Sequence, residues 1–277
     1  MAESTFDRAA FRRGLRTGRL GHVLFTRREV ESTNDTAWEL AQQGADEGAC
    51  VVADGQTKGR GRQGRVWHTA PGKGLALSVL LHPGCDTATA PSDGAGMRYG
   101  TAPLVAGLAL AQAFDALGLE ARLKWPNDLL MSGRKVSGIL AEARRTAEGT
   151  ECVVMGLGVN VAQAAEDFPP DVRGLATSIA LEGRLVTREA VAAAFLNALV
   201  PLWDEHQEGD AKQALDAWRR RASFWGRRVT VLAPGGRVEG TARDLDERGG
   251  LVIEPVSGPP VTVYAGDLEV TWPEGAA

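Results

Sequence analysis

Short apolar runs alternate along the chain with stretches of helical periodicity. Runs at residues 50–53, 75–81 and 152–161 predict strands, and two glycines within the last run indicate close approach by a ligand or another backbone. Residues 101–117 carry apolar side chains at helical spacing and are followed by Gly118, so they predict a buried helix. The larger part of the chain is therefore expected to contain both strands and helices.

The C-terminal end of the chain has a different pattern. Two amphipathic helices are predicted at residues 186–206 and 210–222, and short alternating strands separated by turns rich in glycine and proline follow. This pattern predicts a small β-barrel. Its strands are predicted at residues 229–232, 238–242, 251–254 and 261–264.

The N-terminal end is rich in arginine. We interpret residues 1–28 as a basic, solvated lead-in with a short helix around residues 6–15, in preference to a DNA-binding arm. The predicted domains are then this lead-in, a large domain at residues 29–222 and a small domain at residues 223–277. Residues 83–99, rich in Gly, Ala, Ser and Asp, are interpreted as a surface insertion.

The composition argues against several classes of protein. With 24% charged and 44% hydrophobic residues, the 277-residue chain is of an ordinary globular kind, and its net charge of −4 argues weakly against general nucleic-acid binding. Cys50, Cys85 and Cys152 form no C-x-x-C pair, so we expect neither a disulfide framework nor a zinc knuckle. The sequence shows no apolar leader or membrane-spanning run, and we expect a cytoplasmic location.

A cationic, glycine-rich loop lies between the first two predicted strands. Residues 55–67 read Gly-Gln-Thr-Lys-Gly-Arg-Gly-Arg-Gln-Gly-Arg-Val-Trp. Glycine lets backbone N–H groups approach phosphate or carboxylate oxygens, and arginine adds a planar fork of donors. The loop therefore predicts an anionic ligand.

The sequence of residues 55–67 also resembles other known motifs. A dinucleotide fingerprint must open a helix, whereas Pro71, Gly72 and Gly74 follow here. A kinase glycine-rich loop needs V-A-I-K, H-R-D and D-F-G downstream, which this sequence lacks. A solvated basic loop, or an Arg/Gly segment that contacts RNA, stays open on the loop alone.

Four further motifs accompany the loop in a fixed order. Ser-Thr-Asn at residues 32–34 precedes it, and Lys-Trp-Pro-Asn-Asp at 124–128, Gly-Arg-Lys-Val-Ser-Gly-Ile-Leu at 133–140 and Gly-Leu-Gly-Val-Asn at 156–160 follow. In this order and spacing the chain, from about residue 29 to residue 272, resembles biotin protein ligase. That enzyme makes biotinyl-AMP and transfers the biotin to a lysine of a carrier domain.

The resemblance implies an α+β catalytic domain with a mixed sheet, like that of class II synthetases, and an SH3-like C-terminal barrel. It also implies biotin, ATP and Mg²⁺ as ligands, and the biotin carboxyl carrier domain of a carboxylase as partner. Because fewer than 30 residues precede the first motif, we expect the form without an N-terminal helix-turn-helix, and no DNA binding. A lipoate–protein ligase is the nearest alternative, and the nucleic-acid-binding loop is a more distant one.

The resemblance also assigns residues to sites. Ser32 or Thr33 suits a helix cap as well as a ligand site, and Trp67 suits either a strand-start core position or packing near adenine. The implied biotin site comprises Ser32, Thr33, Asn34, Gln56, Gly59, Arg60, Gly61, Arg62, Lys135, Gly138 and Leu140. The implied ATP site comprises Arg62, Arg65, Trp67, Asn127, Lys135 and Asn160.

Lys135, Arg60 and Arg62 are the predicted catalytic residues. Adenylation brings a carboxylate onto an α-phosphate, so a fixed cation such as Lys135 stabilises the negative charge of the transition state. We expect phosphates to hold most of the Mg²⁺ coordination, with Asn160 or Asp128 as candidate ligands. For Asp128 three roles stay open: orienting a lysine, contacting Mg²⁺ indirectly, or bracing the turn.

Overall fold

The structure is a computed structural model that describes residues 3–83, 100–208 and 211–271. A seven-stranded sheet with helices forms the larger part of these residues, and a five-stranded sheet forms the smaller part. The insertion predicted at residues 83–99 lies, after its first residue, outside the described part of the chain.

The large sheet is mixed, as predicted. Strands β1 and β2 are parallel, and all the other neighbouring pairs are antiparallel. Cys50 and Cys152 are free thiols within the sheet, and Cys85 lies outside the described residues. In the spatial order β1-β2-β3-β7-β6-β5-β4, the strands are β1 (Leu24–Val30), β2 (Cys50–Gln56), β3 (Gly74–Leu81), β4 (Arg122–Lys124), β5 (Asp128–Met131), β6 (Arg134–Arg145) and β7 (Glu151–Asn160).

Helices cover both faces of this sheet. Val51, Leu80 and Val154 pack with helix α2 on one face, whereas Val52 and Val79 belong to the larger core that contains α3 and α4. A strand that is buried on both faces is apolar at successive positions, which accounts for the continuous runs in the sequence. The helices are α1 (Arg8–Gly14), α2 (Thr33–Gln42), α3 (Ala102–Ala116), α4 (Arg188–Gln207) and α5 (Lys212–Arg221).

The N-terminal segment is part of the core, so the prediction of a solvated lead-in is wrong. Phe6 is 4% exposed and Phe11 is fully buried. The Thr5 N–H donates to Asp54 Oδ2 at 2.7 Å, and Asp54 forms a buried ion pair with Arg188 at 2.9 Å. Strand β1 also begins before the boundary predicted at residue 28. Apolar side chains spaced between arginines hid this packing in the sequence.

The small sheet is antiparallel throughout and packs against the large domain. The Trp125 indole N–H, which is buried, donates to the Gly249 carbonyl at 3.0 Å across this junction. The last strand, β12, was not predicted, although its four residues alternate carboxylates with apolar side chains as a strand does. In the order β11-β10-β9-β8-β12, the strands are β8 (Arg228–Ala233), β9 (Gly236–Leu245), β10 (Leu251–Glu254), β11 (Val261–Val263) and β12 (Asp267–Val270).

Candidate functional site

One cavity of about 610 Å³ contains nearly all of the predicted site residues. It lies over strands β5, β6 and β7, under the cationic loop, and it reaches β12 of the small sheet through Asp267, Glu269 and Val270. Gly59 is the exception among the predicted residues. The others that line the cavity are Ser32, Thr33, Asn34, Gln56, Arg60, Gly61, Arg62, Arg65, Trp67, Asn127, Asp128, Lys135, Gly138, Leu140 and Asn160.

Gly59 shapes the base of the loop and does not line the cavity. A Cβ at Gly59 would lie 2.4 Å from the Trp67 carbonyl oxygen, and the Trp67 N–H donates to the Gly59 carbonyl at 2.9 Å. A β-bridge between Arg60 and Val66 continues this pairing. Any side chain at residue 59 would therefore force the two sides of the loop apart.

The neutral end of the cavity is a connected set of hydroxyl and amide groups. The Thr33 N–H donates to Gln56 Oε1 at 2.9 Å, and the Ser78 hydroxyl donates to Asn34 Oδ1 at 2.6 Å. Ser32 occupies the N-cap position of α2, but its side chain makes no capping bond. The cap interpretation of these hydroxyls is therefore wrong. Ser78 was missed, although it is the single polar residue in the apolar run of β3.

The three arginines of the loop have different surroundings. Arg60 pairs with Asp35 at 2.5 Å, and Arg65 pairs with Asp267 of β12 at 2.5 Å. Arg62 donates instead to the neutral Asn127 Oδ1 at 3.3 Å, and burial lowers its pKa below the ordinary arginine value. Arg62 is thus the loop arginine without a direct ion pair among the described residues, and the carboxylates of Asp267 and Asp128 act on it only from a longer distance.

Lysines from two strands form the other part of the cationic end. Lys135 Nζ lies 2.6 Å from Asp128 Oδ1, and it lies 5.7 Å from the centre of a Trp67 ring. Lys124 also lines the cavity, and burial lowers its pKa despite the nearby Asp128 carboxylate. Lys124 was not singled out in the sequence, although it opens the Lys-Trp-Pro-Asn-Asp motif.

Glycines of β6 and β7 form a floor for the Trp67 ring. A Cβ at Gly158 would lie 2.4 Å from Trp67 Cε2, and one at Gly138 would lie 3.2 Å from Trp67 Cζ3. Trp67 is part-exposed and lines the cavity, so it is not a core tryptophan. The Trp67 ring thus lies flat within the cavity, close to the backbone of Gly138 and Gly158 and near Lys135.

The two asparagines predicted near the nucleotide are held by the protein. Asn127 donates from Nδ2 to the Ile139 carbonyl at 2.8 Å. Asn160 donates to the Thr177 carbonyl at 3.0 Å and accepts from Gln163 Nε2 at 2.9 Å. A further wall, missed in the sequence, is apolar and comprises Leu130, Ile139, Phe168, Val172, Leu175 and Ala176.

Neither a resident metal centre nor a membrane segment emerges from the described residues. Within the ranges 3–83, 100–208 and 211–271, no cluster of three or more His, Cys, Asp or Glu side chains could hold a metal ion. A Mg²⁺ ion that arrives on a nucleotide needs only one or two protein carboxylates, and Asp128 lies in the cavity. In the same ranges, no helix is long and apolar enough to cross a membrane.

Comparisons with known proteins agree on one family. Residues 26–160 match the biotin/lipoate A/B protein ligase family, and residues 224–270 match the biotin protein ligase C-terminal domain. The biotin--[acetyl-CoA-carboxylase] ligase of Mycobacterium tuberculosis is 36% identical over 246 residues, which cover 87% of this chain and 86% of the relative. The bifunctional ligase/repressor BirA of Bacillus subtilis is 32% identical over 259 residues, covering 93% and 77% respectively.

Solved structures also resemble the chain. The biotin protein ligase from Aquifex aeolicus in complex with biotin and ATP has a TM-score of 0.73 and 28% sequence identity. The match covers 91% of this chain and 99% of the Aquifex chain. The α+β fold with a small C-terminal β domain, expected from the sequence, is therefore confirmed.

Proposed function

Because this chain belongs to the biotin protein ligase family, we propose that it uses ATP to activate biotin as biotinyl-5'-AMP and then transfers the biotin to a lysine of a carrier domain. One observation carries the proposal. A single cavity has a neutral hydrogen-bonding end at residues 32–34 and a cationic end at Arg62, Lys124 and Lys135. Biotin has a neutral ureido ring at one end and a carboxylate at the other.

The neutral end favours biotin over lipoate. The ureido ring offers two N–H donors and one carbonyl acceptor, so it needs polar partners of both kinds. Ser32, Asn34 and Gln56 supply them, and the bonds among Thr33, Gln56 and Ser78 hold that set in place. The dithiolane ring of lipoate has no N–H donor and no carbonyl acceptor, so these polar groups would lose water on binding without gaining a hydrogen bond from the ligand.

The cationic end supports the adenylation step. An oxygen of the biotin carboxylate attacks the α-phosphorus of ATP, the bond to the β-phosphate oxygen breaks, and pyrophosphate leaves. Negative charge accumulates around the α-phosphorus, and we assign its stabilisation to Lys135 and Arg62; that both side chains line the cavity supports this assignment. Mg²⁺ enters as the complex with ATP, and it neutralises charge on the phosphate oxygens.

The transfer step needs a neutral amine. The carrier lysine attacks the acyl carbon of the adenylate, AMP leaves with the electrons of the broken bond, and one proton leaves the nitrogen. Asp128 already contacts the ammonium of Lys135 at 2.6 Å. This contact supports the first role considered for Asp128, which is to orient a lysine.

Pyrophosphate exchange is the first test. The purified protein with MgATP should incorporate labelled pyrophosphate into ATP when biotin is present, and should not do so with lipoate. Exchange with lipoate alone would favour the lipoate–protein ligase. A folded protein that exchanges with neither acid would contradict the proposed chemistry. Labelling of a biotin carboxyl carrier domain of an acyl-CoA carboxylase, detected with streptavidin, tests the expected partner separately. The cytoplasmic location stays a prediction.

A further inference from the structure

Arg60 is bound by carboxylates of the protein on two elements. Its Nη1 donates to Asp35 Oδ2 of α2 at 2.5 Å, and its Nη2 donates to Glu142 Oε2 of β6 at 3.3 Å. The Arg60 and Asp35 side chains are 36% and 38% exposed, and Glu142 is 20% exposed. The guanidinium therefore bridges the loop to a helix and a strand that flank the neutral end of the cavity.

This environment differs from that of a cation that receives a substrate anion. Two carboxylates already compensate the charge of Arg60. Arg62, two residues further on, donates to a neutral amide instead, and no carboxylate within the described ranges lies within 4.0 Å of it. An anionic ligand gains more from Arg62, because it need not displace a directly bound carboxylate first; Asp267 and Asp128 act on Arg62 only from a longer distance.

Glu142 links the Arg60 contacts to the neutral end. The same oxygen, Glu142 Oε2, accepts from Asn34 Nδ2 at 2.7 Å. Asn34 Oδ1 in turn accepts from the Ser78 hydroxyl at 2.6 Å. A change in the position of Arg60 therefore alters a carboxylate that also orients Asn34.

We propose that Arg60, Asp35 and Glu142 form a clasp that fixes the cationic loop over the neutral end of the cavity, so that Arg60 is a positioning residue. This replaces the catalytic role predicted for Arg60 from the sequence. The catalytic consequence rests on the proposed function, whereas the holding of the loop does not. Asp35 and Glu142, to which the sequence assigned no role, then become determinants of adenylate retention.

The mechanical part of the clasp is measured without any ligand. Hydrogen exchange at the amides of residues 59–67, followed by mass spectrometry, reports opening of the loop. Asp35→Asn and Arg60→Gln should each speed this exchange, by roughly three- to tenfold for the loss of one partly exposed charge-assisted contact. The double variant should exchange no faster than Arg60→Gln alone, since Arg60→Gln already removes the contact with Asp35 as well as the one with Glu142.

A matched control uses another ion pair at the base of the loop. Lys58 pairs with Glu31 at 2.9 Å, and these side chains are 68% and 65% exposed. Glu31→Gln removes a carboxylate from this solvated pair and should leave exchange at residues 59–67 unchanged. Circular dichroism and thermal unfolding check that each variant folds.

The functional part is read from the KM for biotin and from the release rate of biotinyl-AMP. Asp35→Asn should change both quantities in the same direction as Arg60→Gln and by no more than it, because the contact with Glu142 remains, and the double variant should match Arg60→Gln. Loss of function in Arg60→Gln with wild-type behaviour in Asp35→Asn would overturn the clasp, because Arg60 would then act directly on substrate. If the wild-type protein shows no biotin-dependent pyrophosphate exchange, the proposed function fails, and hydrogen exchange alone decides whether the clasp exists.

Discussion

At the scale of residues, the cations of the site differ in whether a carboxylate contacts them directly. Arg60 and Arg65 each pair with a carboxylate, whereas Arg62 bonds to an amide. Lys135 has the Asp128 carboxylate beside it, on the strand that pairs with its own. A phosphate that enters the cavity therefore meets Arg62 directly and competes with Asp128 for Lys135.

Replacement of Lys135 should impair adenylation selectively. Lys135→Ala removes the cation placed at the reacting phosphate, and we expect pyrophosphate exchange to slow by roughly 10²- to 10³-fold with folding intact. Lys58→Ala is the matched control, because it also removes one lysine charge, from the cationic loop, where the Lys58 side chain is 68% exposed. Wild-type exchange in a folded Lys135→Ala protein would refute this role.

Replacement of Arg62 should weaken retention of the intermediate. Arg62→Gly would remove the charge-assisted hydrogen bonds that the proposed function assigns to Arg62, and we expect biotinyl-AMP to dissociate roughly 10- to 100-fold faster. A chase with unlabelled adenylate after loading measures this rate directly. An unchanged dissociation rate would contradict the role of Arg62 in retaining the adenylate. Lys58→Ala again serves as the control.

At the scale of elements, strand β7 has two glycines on the face that the cationic loop covers. Gly156 and Gly158 lie two residues apart on one face of the strand. A Cβ at Gly156 would lie 2.2 Å from Asn34 Oδ1, and one at Gly158 would lie 2.4 Å from Trp67 Cε2. The two glycines thus admit one group of the neutral end and one aromatic ring of the loop.

A methyl group on this floor should displace Trp67. Gly158→Ala should raise the KM for ATP by roughly tenfold, which corresponds to about 1.4 kcal/mol, and should change the Trp67 environment. Gly174→Ala is a matched control, because Gly174 lines the same cavity and its added Cβ would meet no atom within 4 Å. Equal KM values for the two variants would show that the ring position does not matter.

The contact between α3 and α4 should make stability depend on pH. His206 stacks on Trp203, its Nε2 lies 2.7 Å from Thr101 Oγ1, and burial lowers the pKa of His206 below its ordinary value of 6.5. The unfolded chain then binds a proton more readily than the folded chain. Stability is therefore fully present above pH 6.5 and falls as pH decreases towards the lowered pKa.

Urea unfolding at pH 7.5 and pH 5.5 measures the contribution of His206 to the pH dependence of stability. The free energy of unfolding of the wild-type protein should decrease between these values by more than that of His206→Gln, which lacks the titrating group. The same decrease in both proteins would assign the pH dependence to other groups.

At the scale of the whole molecule, the small domain completes the cavity and is fixed to the large one. Asp267 holds Arg65, and the Trp125 indole bonds to the Gly249 carbonyl at 3.0 Å. Arg219 of α5 also contacts Asp244 at 2.6 Å and the Leu245 carbonyl at 2.7 Å. These contacts predict that the two domains unfold together.

Loss of the indole bond should destabilise the junction. Trp125→Phe leaves the Gly249 carbonyl without its buried partner, and we expect a loss of about 1–3 kcal/mol beyond the packing change. Trp218→Phe controls for the packing, because Trp218 is equally buried and its indole nitrogen has no hydrogen-bond partner within the described ranges. Equal losses in the two variants would leave the indole bond without a measurable contribution.

The sequence by itself determined most of the strands, the long helices, the mixed fold and most of the residues that meet in one cavity, whereas it did not predict β1 and β12. Apolar runs and helical spacing report local burial, and the order of the motifs carries the family resemblance. The interpretation of residues 1–28 as a solvated lead-in was wrong for a physical reason. Burial of Phe6 and Phe11 depends on α4, which lies far along the chain, whereas charge patterning reports only local neighbours.

Only the tertiary structure decided how the charges are paired. The sequence placed Arg60, Arg62 and Arg65 in one cationic loop, and only the family resemblance separated them, with Arg60 and Arg62 predicted as catalytic and Arg65 as ATP-binding. Their partners, Asp35, Asn127 and Asp267, lie 25, 65 and 202 residues away. An ion pair forms where the backbone brings two groups within about 4 Å, and that distance is a property of the folded chain. The different roles that we propose for the three arginines follow from it.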